Sequence, residues 1–211
     1  MNSTLQIRNF SPCLKTFTLT ALALWFSLAL GLSLAGLFDS RMPILIGLAV
    51  IIPIGLFITG YLRFGEFRRF VLSADVRLLT LPHVWRVAGI TFLILERKGI
   101  LPAVFALPAG FGDIAIGATA PLIASMFLSG KSLSNRAFIW WNVLGLLDLV
   151  TAVALGILAS NGPLGILASG ATTRVMGQFP LSLIPTFLVP LFIILHLIAL
   201  FKARSTVALR S

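Results

Sequence analysis

Apolar residues are concentrated in six long stretches, separated by short segments rich in polar, basic or glycine residues. A helix needs about 20 mainly apolar residues to cross the hydrocarbon core of a bilayer, and most of these stretches approach or exceed that length. The pattern therefore predicts an all-α fold, a polytopic integral membrane helical bundle formed by a single membrane domain over residues 1–211. The predicted spans are residues 18–38, 43–63, 81–95, 101–128, 137–159 and 180–201.

The first apolar stretch is interpreted as a transmembrane helix that is not removed. A basic segment precedes it, as in a secretory signal peptide, but the apolar run is longer than the roughly 7–15 residues of a signal peptide. No convincing Ala-x-Ala cleavage site follows it. Cys13, the single cysteine, lies before this stretch and cannot form an internal disulfide bond.

Two segments outside the spans are predicted to lie at the membrane surface. In residues 64–80, apolar side chains alternate with Arg68 and Arg69, which is typical either of an interfacial amphipathic helix or of a basic loop. Residues 160–179 contain too many glycines for a span, but they are apolar enough for a surface or re-entrant loop.

The composition excludes an ordinary water-soluble domain. Hydrophobic residues make up 58% of the chain and charged residues only 10%, with a mean hydropathy of +1.06. The net charge of +10 does not indicate nucleic-acid binding, because the basic residues are scattered between apolar stretches rather than grouped in one stripe. The charge is instead expected to set the membrane topology and to contact anionic lipids at the cytoplasmic face.

Lysine and arginine are distributed unequally between the two sides of the predicted bundle. One side carries Arg8, Lys15, Arg63, Arg68, Arg69, Arg77, Lys131, Arg136, Lys202, Arg204 and Arg210. The other side carries Arg41, Arg97, Lys98 and Arg174, and Arg86 falls inside a span. By the positive-inside rule, both termini are predicted to be cytoplasmic.

Two acidic residues lie inside apolar spans, each on a helix face of small residues. Asp113 shares its face with Ala109, Gly117, Ala120 and Ala124, and Asp148 shares its face with Trp141, Gly145, Ala152 and Gly156. Small residues let neighbouring helices approach closely, and an ionisable group within a bilayer normally faces protein or water. Both acids are therefore predicted to face the bundle interior. The small-residue faces also suit contact with a second copy or a partner membrane protein.

Four further polar residues, Arg86, Asn142, His83 and His196, are predicted to lie in the cytoplasmic half of the bundle. The helical rise of about 1.5 Å per residue places both acids nearer the midplane. A long arginine side chain can extend by roughly a turn, so Arg86 is predicted to form the one buried ion pair with Asp148. At the estimated depths, Asp113 is expected to have no cation within reach.

These six residues, Asp113, Asp148, Arg86, Asn142, His83 and His196, form the candidate substrate or ion path. The leading interpretation is a small-solute or proton-coupled transporter of the bacterial inner membrane, with no catalytic residues, metal or cofactor. The second is a non-catalytic membrane subunit whose polar network is structural. The third is an oxidoreductase in which His83 and His196 hold a haem from opposite sides. No His-Glu-x-x-His or Gly-x-Ser-x-Gly motif indicates hydrolysis.

Overall fold

The computed structural model describes residues 12–39, 44–128, 136–168 and 170–208, and its regular elements are all helical. The α-helices are α1 (Pro12–Leu34), α2 (Ile44–Arg63), α3 (Gly65–Ser73), α4 (Val76–Thr80), α5 (Ile90–Arg97), α6 (Ala103–Met126), α7 (Arg136–Leu158) and α8 (Val189–Ala208). A 3-10 helix over Leu81–Gly89, called the 3-10 segment below, joins α4 to α5. A second 3-10 helix covers Thr173–Gly177, and a π-helical turn over Ile184–Leu188 leads into α8.

Six stretches of the described chain are long and apolar enough to cross a membrane. They are Thr16–Leu34, Ile44–Arg63, Val76–Arg97, Ala103–Met126, Arg136–Leu158 and Ile184–Ser205. The prediction of an all-α protein with six apolar spans is therefore confirmed, and the six candidate spans indicate a multi-pass membrane protein. Large apolar side chains on the outer helices are exposed, as lipid-facing residues would be, and include Leu24, Ile51 and Leu56.

The third span begins earlier than predicted. Its predicted start at residue 81 is wrong, because α4, the 3-10 segment and α5 form one continuous stretch from Val76 to Arg97. Asp75 caps the start of α4, where its Oδ1 accepts a hydrogen bond from the Arg77 backbone N–H at 2.8 Å. As a consequence, Arg86 lies near the middle of the span.

The segment over residues 64–80 is therefore not one interfacial element. Its first part is the helix α3, which is separated from α4 by a bend. Val71 on α3 is buried in a cluster with Phe57 of α2 and Ala199 of α8, while Arg68 and Arg69 are exposed. This distribution matches the amphipathic helix that the sequence allowed.

The start of the sixth span is formed by irregular structure. The π-helical turn that leads into α8 begins at Ile184, so the sixth span starts later than the predicted residue 180. Before it, Thr173 folds back on the end of α7 and donates a hydrogen bond from Oγ1 to the Gly156 carbonyl at 2.6 Å. Met176 is buried in the same region.

Helix α6 packs closely against the 3-10 segment. Glycines make close contact with the third span possible, because a Cβ on Gly117 would overlap the backbone at Val87 in the 3-10 segment, and one on Gly110 would overlap the Leu93 side chain in α5. Ala109 and Ala120, on the same face of α6, are almost completely buried. The small-residue face predicted around Asp113 is thus occupied by the chain's own third span.

Helix α1 lies beside the last span. Trp25 and Phe26 both contact the ring of Phe187, with ring centroids 4.8 and 5.1 Å away. Ser33 and Ser182 are buried and form a side-chain hydrogen bond.

Candidate functional site

The Arg86 side chain is the centre of the buried polar cluster and is only 1% exposed. Its Nε donates to Asp113 Oδ1 at 2.7 Å, and Nη2 forms an ion pair with Asp148 Oδ2. Its Nη1 lies 3.4 Å from the Gly145 carbonyl oxygen and 3.2 Å from His196 Nε2. One guanidinium group thus holds residues from α6, α7 and α8 together.

The predicted Arg86–Asp148 ion pair is present, but two statements made from the sequence are wrong. Asp113 does have a cation within reach, and the pair with Asp148 is one half of an arginine bridge between two acids. Both errors have one origin, the late start assigned to the third span, which placed Arg86 too near the beginning of that span. The 3-10 segment adds to the difference because it rises about 2.0 Å per residue instead of about 1.5 Å.

A chain of hydrogen bonds continues from Arg86 through His196. Since Arg86 Nη1 can only donate, His196 Nε2 is the acceptor, and the proton of the neutral ring lies on Nδ1. That proton is donated to Asn142 Oδ1 at 2.9 Å, and Asn142 Nδ2 donates to the Phe138 carbonyl at 2.9 Å. The donors and acceptors of this chain are therefore consistent with one tautomer of His196.

His83 is held by ring contacts. Its imidazole stacks on His196 with centroids 3.9 Å apart and an interplanar angle of 27°, and Trp141 packs edge-on against both rings. Neither ring nitrogen of His83 has a hydrogen-bond partner among the described residues, although the residue is 1% exposed. The stacked rings would have to separate before His83 and His196 could bind a haem iron from opposite sides.

Three glycines leave the space that the cluster occupies. A Cβ on Gly112 would overlap the Asp148 carboxylate, one on Gly145 would overlap the His196 ring, and one on Gly89 would overlap Asp113. Gly145 belongs to the small-residue face predicted around Asp148, whereas Gly112 and Gly89 were not predicted to contact the cluster. Gly112 directly precedes Asp113 in the sequence, and Gly89 follows Arg86 by three residues. This proximity to charged residues within apolar spans is the signal that could have identified them.

A cavity of about 90 Å³ leads to this cluster from one end of the bundle. Asp113 lines its inner part, and its walls include Phe92, Phe105 and Leu149. The exposed residues Asn161 and Arg174 line its other end. Asp113 is 16% exposed at the side chain, so the cluster is in contact with the cavity rather than sealed from it.

The outer end of the cavity lies beside an ion pair. Arg174 Nε donates to Asp39 Oδ1 at 2.8 Å, and Gln178 Nε2 donates to Asp39 Oδ2 at 3.1 Å. The hydrogen bond from Arg174, followed by the one from Gln178, holds the pKa of Asp39 below its ordinary value. The end of the bundle that carries Asp39 and Arg174 is called the Asp39 face below.

All six residues of the candidate path therefore lie in one connected cluster at the centre of the bundle. Hydrogen bonds join five of them, namely Asp113, Arg86, Asp148, His196 and Asn142. The sixth, His83, contacts the others through ring stacking. Within the described part of the chain, no three His, Cys, Asp or Glu side chains are grouped as metal ligands.

Residues 43–204 match a family model described as a domain of unknown function, DUF8737. The chain belongs to this family. The matched region begins just before α2 and ends within α8, so it contains all six cluster residues and excludes α1. No curated protein and no solved structure matches the chain.

Proposed function

We propose that this DUF8737 member is a proton-coupled transporter of small solutes in the bacterial inner membrane. The observation that carries the proposal is the ratio of charges in the buried cluster, where one arginine faces two carboxylates. With both acids ionised, the cluster has one negative charge in excess. An uncompensated charge inside a membrane protein is costly, so this cluster favours the binding of one additional proton or cation.

The cavity gives this cluster a route for exchange with the solution. Asp113 is in contact with the cavity, whose other end is at the Asp39 face. Asp148 pairs with Nη2 of the same guanidinium, whose Nη1 contacts His196. In this proposal Asp113 takes up and releases the proton, and Arg86 keeps the remaining charge balanced.

Proton uptake can be measured before any solute is known. Protein in proteoliposomes on a solid-supported membrane is stepped from about pH 8 to about pH 6, and the transient current is recorded. The wild-type protein should give a charge movement, and Asp113→Asn should lose most of it because the titrating carboxylate is gone. Glu66→Gln, which removes an exposed acid of α3, is the matched control and should behave as wild type. Equal currents from wild type and Asp113→Asn would contradict the proposal.

The proposal includes an orientation, with both termini and α3 in the cytoplasm. The exposed arginines of α3 then face the anionic headgroups of the cytoplasmic leaflet. In a Cys13→Ser background, Ala168→Cys should react with a membrane-impermeant maleimide in intact cells, and Ser73→Cys should react only after lysis. Both positions are exposed, whereas the nearby Ser169 and the loop residue Ser132 lie outside the described residues. If only Ser73→Cys reacts in intact cells, the topology is the opposite of the proposed one.

A structural role is the second candidate, and a specific observation favours it. The Arg86 side chain is buried and bonded to three helices, which is what a group that fixes helix packing would show. The Arg86 variants described in the Discussion distinguish this role from transport.

A further inference from the structure

The cavity above Asp113 combines apolar walls with one available carboxylate oxygen. Phe92, Phe105, Leu149, Val153 and Ile184 contribute apolar wall surface. Oδ1 of Asp113 accepts from Arg86, and no donor to Oδ2 is found among the residues that the structure describes. Small-molecule sites are typically concave and mostly apolar, with a few polar groups that fix the orientation of the ligand.

The charge of the cluster selects the sign of the occupant. A ligand that reaches the inner end of the cavity meets a carboxylate from a group with one negative charge in excess. A carboxylate or phosphate ligand would be repelled there, while an ammonium group could donate to Asp113 and neutralise the cluster. The apolar walls favour an alkyl body over a strongly hydrated inorganic ion.

We propose that this cavity binds a small aliphatic ammonium ion, with the ammonium group on Asp113 Oδ2 and the alkyl part against the apolar walls. The inference rests on the proposed function, and it names the class of solute that the same site carries. One monovalent cation and one proton neutralise the same charge, so they compete for Asp113. Binding of one ammonium ion releases one proton from the protonated cluster, which makes the coupling a one-for-one exchange.

The test uses n-butylammonium as the probe, with butan-1-ol and butyrate as neutral and anionic compounds of similar shape. Binding to the full-length protein in nanodiscs is measured by calorimetry at about pH 7 in two buffers of different ionisation enthalpy, which reports the protons released. Butylammonium should bind at least about tenfold more tightly than either other compound and should release up to one proton. Equal binding of butan-1-ol or butyrate would overturn the inference.

Two variants test the placement of the ligand. Asp113→Asn should weaken butylammonium binding by about tenfold or more and abolish proton release, whereas Glu66→Gln should change neither. Ala152→Leu fills part of the cavity without removing a charge, so it should weaken butylammonium binding by about tenfold or more. If Asp113→Asn does not fold, Ala152→Leu still tests whether butylammonium binds in this cavity.

Failure of this inference and failure of the proposed function give different results. A wild-type charge movement that depends on Asp113, together with no selective butylammonium binding, overturns the ammonium site alone. Loss of both signals overturns both. Butylammonium binding that survives in Asp113→Asn and in Ala152→Leu places the ligand elsewhere and overturns the inference.

Discussion

Arg86→Gln is expected to destabilise the protein more than any other single substitution in the cluster. Its removal leaves Asp113 and Asp148 without their cation in a buried site, and stranding a buried charge typically costs about 3–5 kcal/mol. The loss is measured as the fall in the unfolding midpoint in detergent. Arg77→Gln is the matched control, because Arg77 pairs with Asp75 at an exposed site where solvent screening leaves an ion pair with little effect on stability.

The substitutions at the two acids should be much milder, since either one leaves Arg86 paired with the other carboxylate. Asp113→Asn and Asp148→Asn alone should each retain a near-neutral cluster, while the double Asp variant strands the arginine and should be as damaging as Arg86→Gln. The triple variant, with all three groups neutral, should recover most of the loss, because the effects are coupled. If Arg86→Gln, Asp113→Asn and Asp148→Asn lower the unfolding midpoint by equal amounts that add in the multiple variants, Arg86 does not bridge the two acids.

The same series separates transport from packing. If the triple variant regains stability but shows no charge movement after a pH step, the cluster is a working site. If it regains stability and keeps the charge movement of the wild type, the role of the cluster is structural.

Gly145→Ala and Gly112→Ala should also be strongly destabilising, although alanine is the better helix former by about 0.5–1 kcal/mol. The added methyl group would overlap the His196 ring in the first variant and the Asp148 carboxylate in the second. Overpacking of this kind typically costs about 1–3 kcal/mol and would displace the groups that bind Arg86. The measurement is the unfolding midpoint in detergent, with charge movement as a second readout.

Gly55→Ala provides the control for these two variants. Gly55 also lies inside a membrane-length helix, α2, but a Cβ there meets nothing within 4 Å. This variant should be neutral or slightly stabilising. If Gly145→Ala and Gly112→Ala behave like Gly55→Ala, the His196 ring and the Asp148 carboxylate do not lie against these two glycines.

The class of the fold and the members of the buried polar cluster could be predicted from the sequence. Long apolar runs report burial in lipid directly, and a charged residue within such a run is so costly that it marks the interior of the bundle. The small-residue face of Asp113 was also correctly predicted to pack against protein, since Ala109 and Ala120 are buried.

The connections within the site were harder to predict. Which acid Arg86 reaches depends on the depth and rotation of three spans, and an error of about one turn at the start of the third span was enough to separate Arg86 from Asp113. The 3-10 segment has no sequence pattern that distinguishes it from an α-helix of the same apolar content. The cavity is formed by residues from many parts of the chain, so periodicity in one helix gives no information about it.

The order of the charged spans along the chain has a consequence for biosynthesis. An arginine at the centre of an isolated span raises the free energy of insertion by about 2.5–3.5 kcal/mol. Arg86 and Asp113 lie on consecutive spans joined by a short connection between Arg97 and Ala103, and glycines let the two spans meet closely. These two residues can therefore pair as a helical hairpin while the ribosome is still synthesising the fifth span. Asp148 joins a pair that is already neutral, so the excess charge enters the membrane with the last acid to be made.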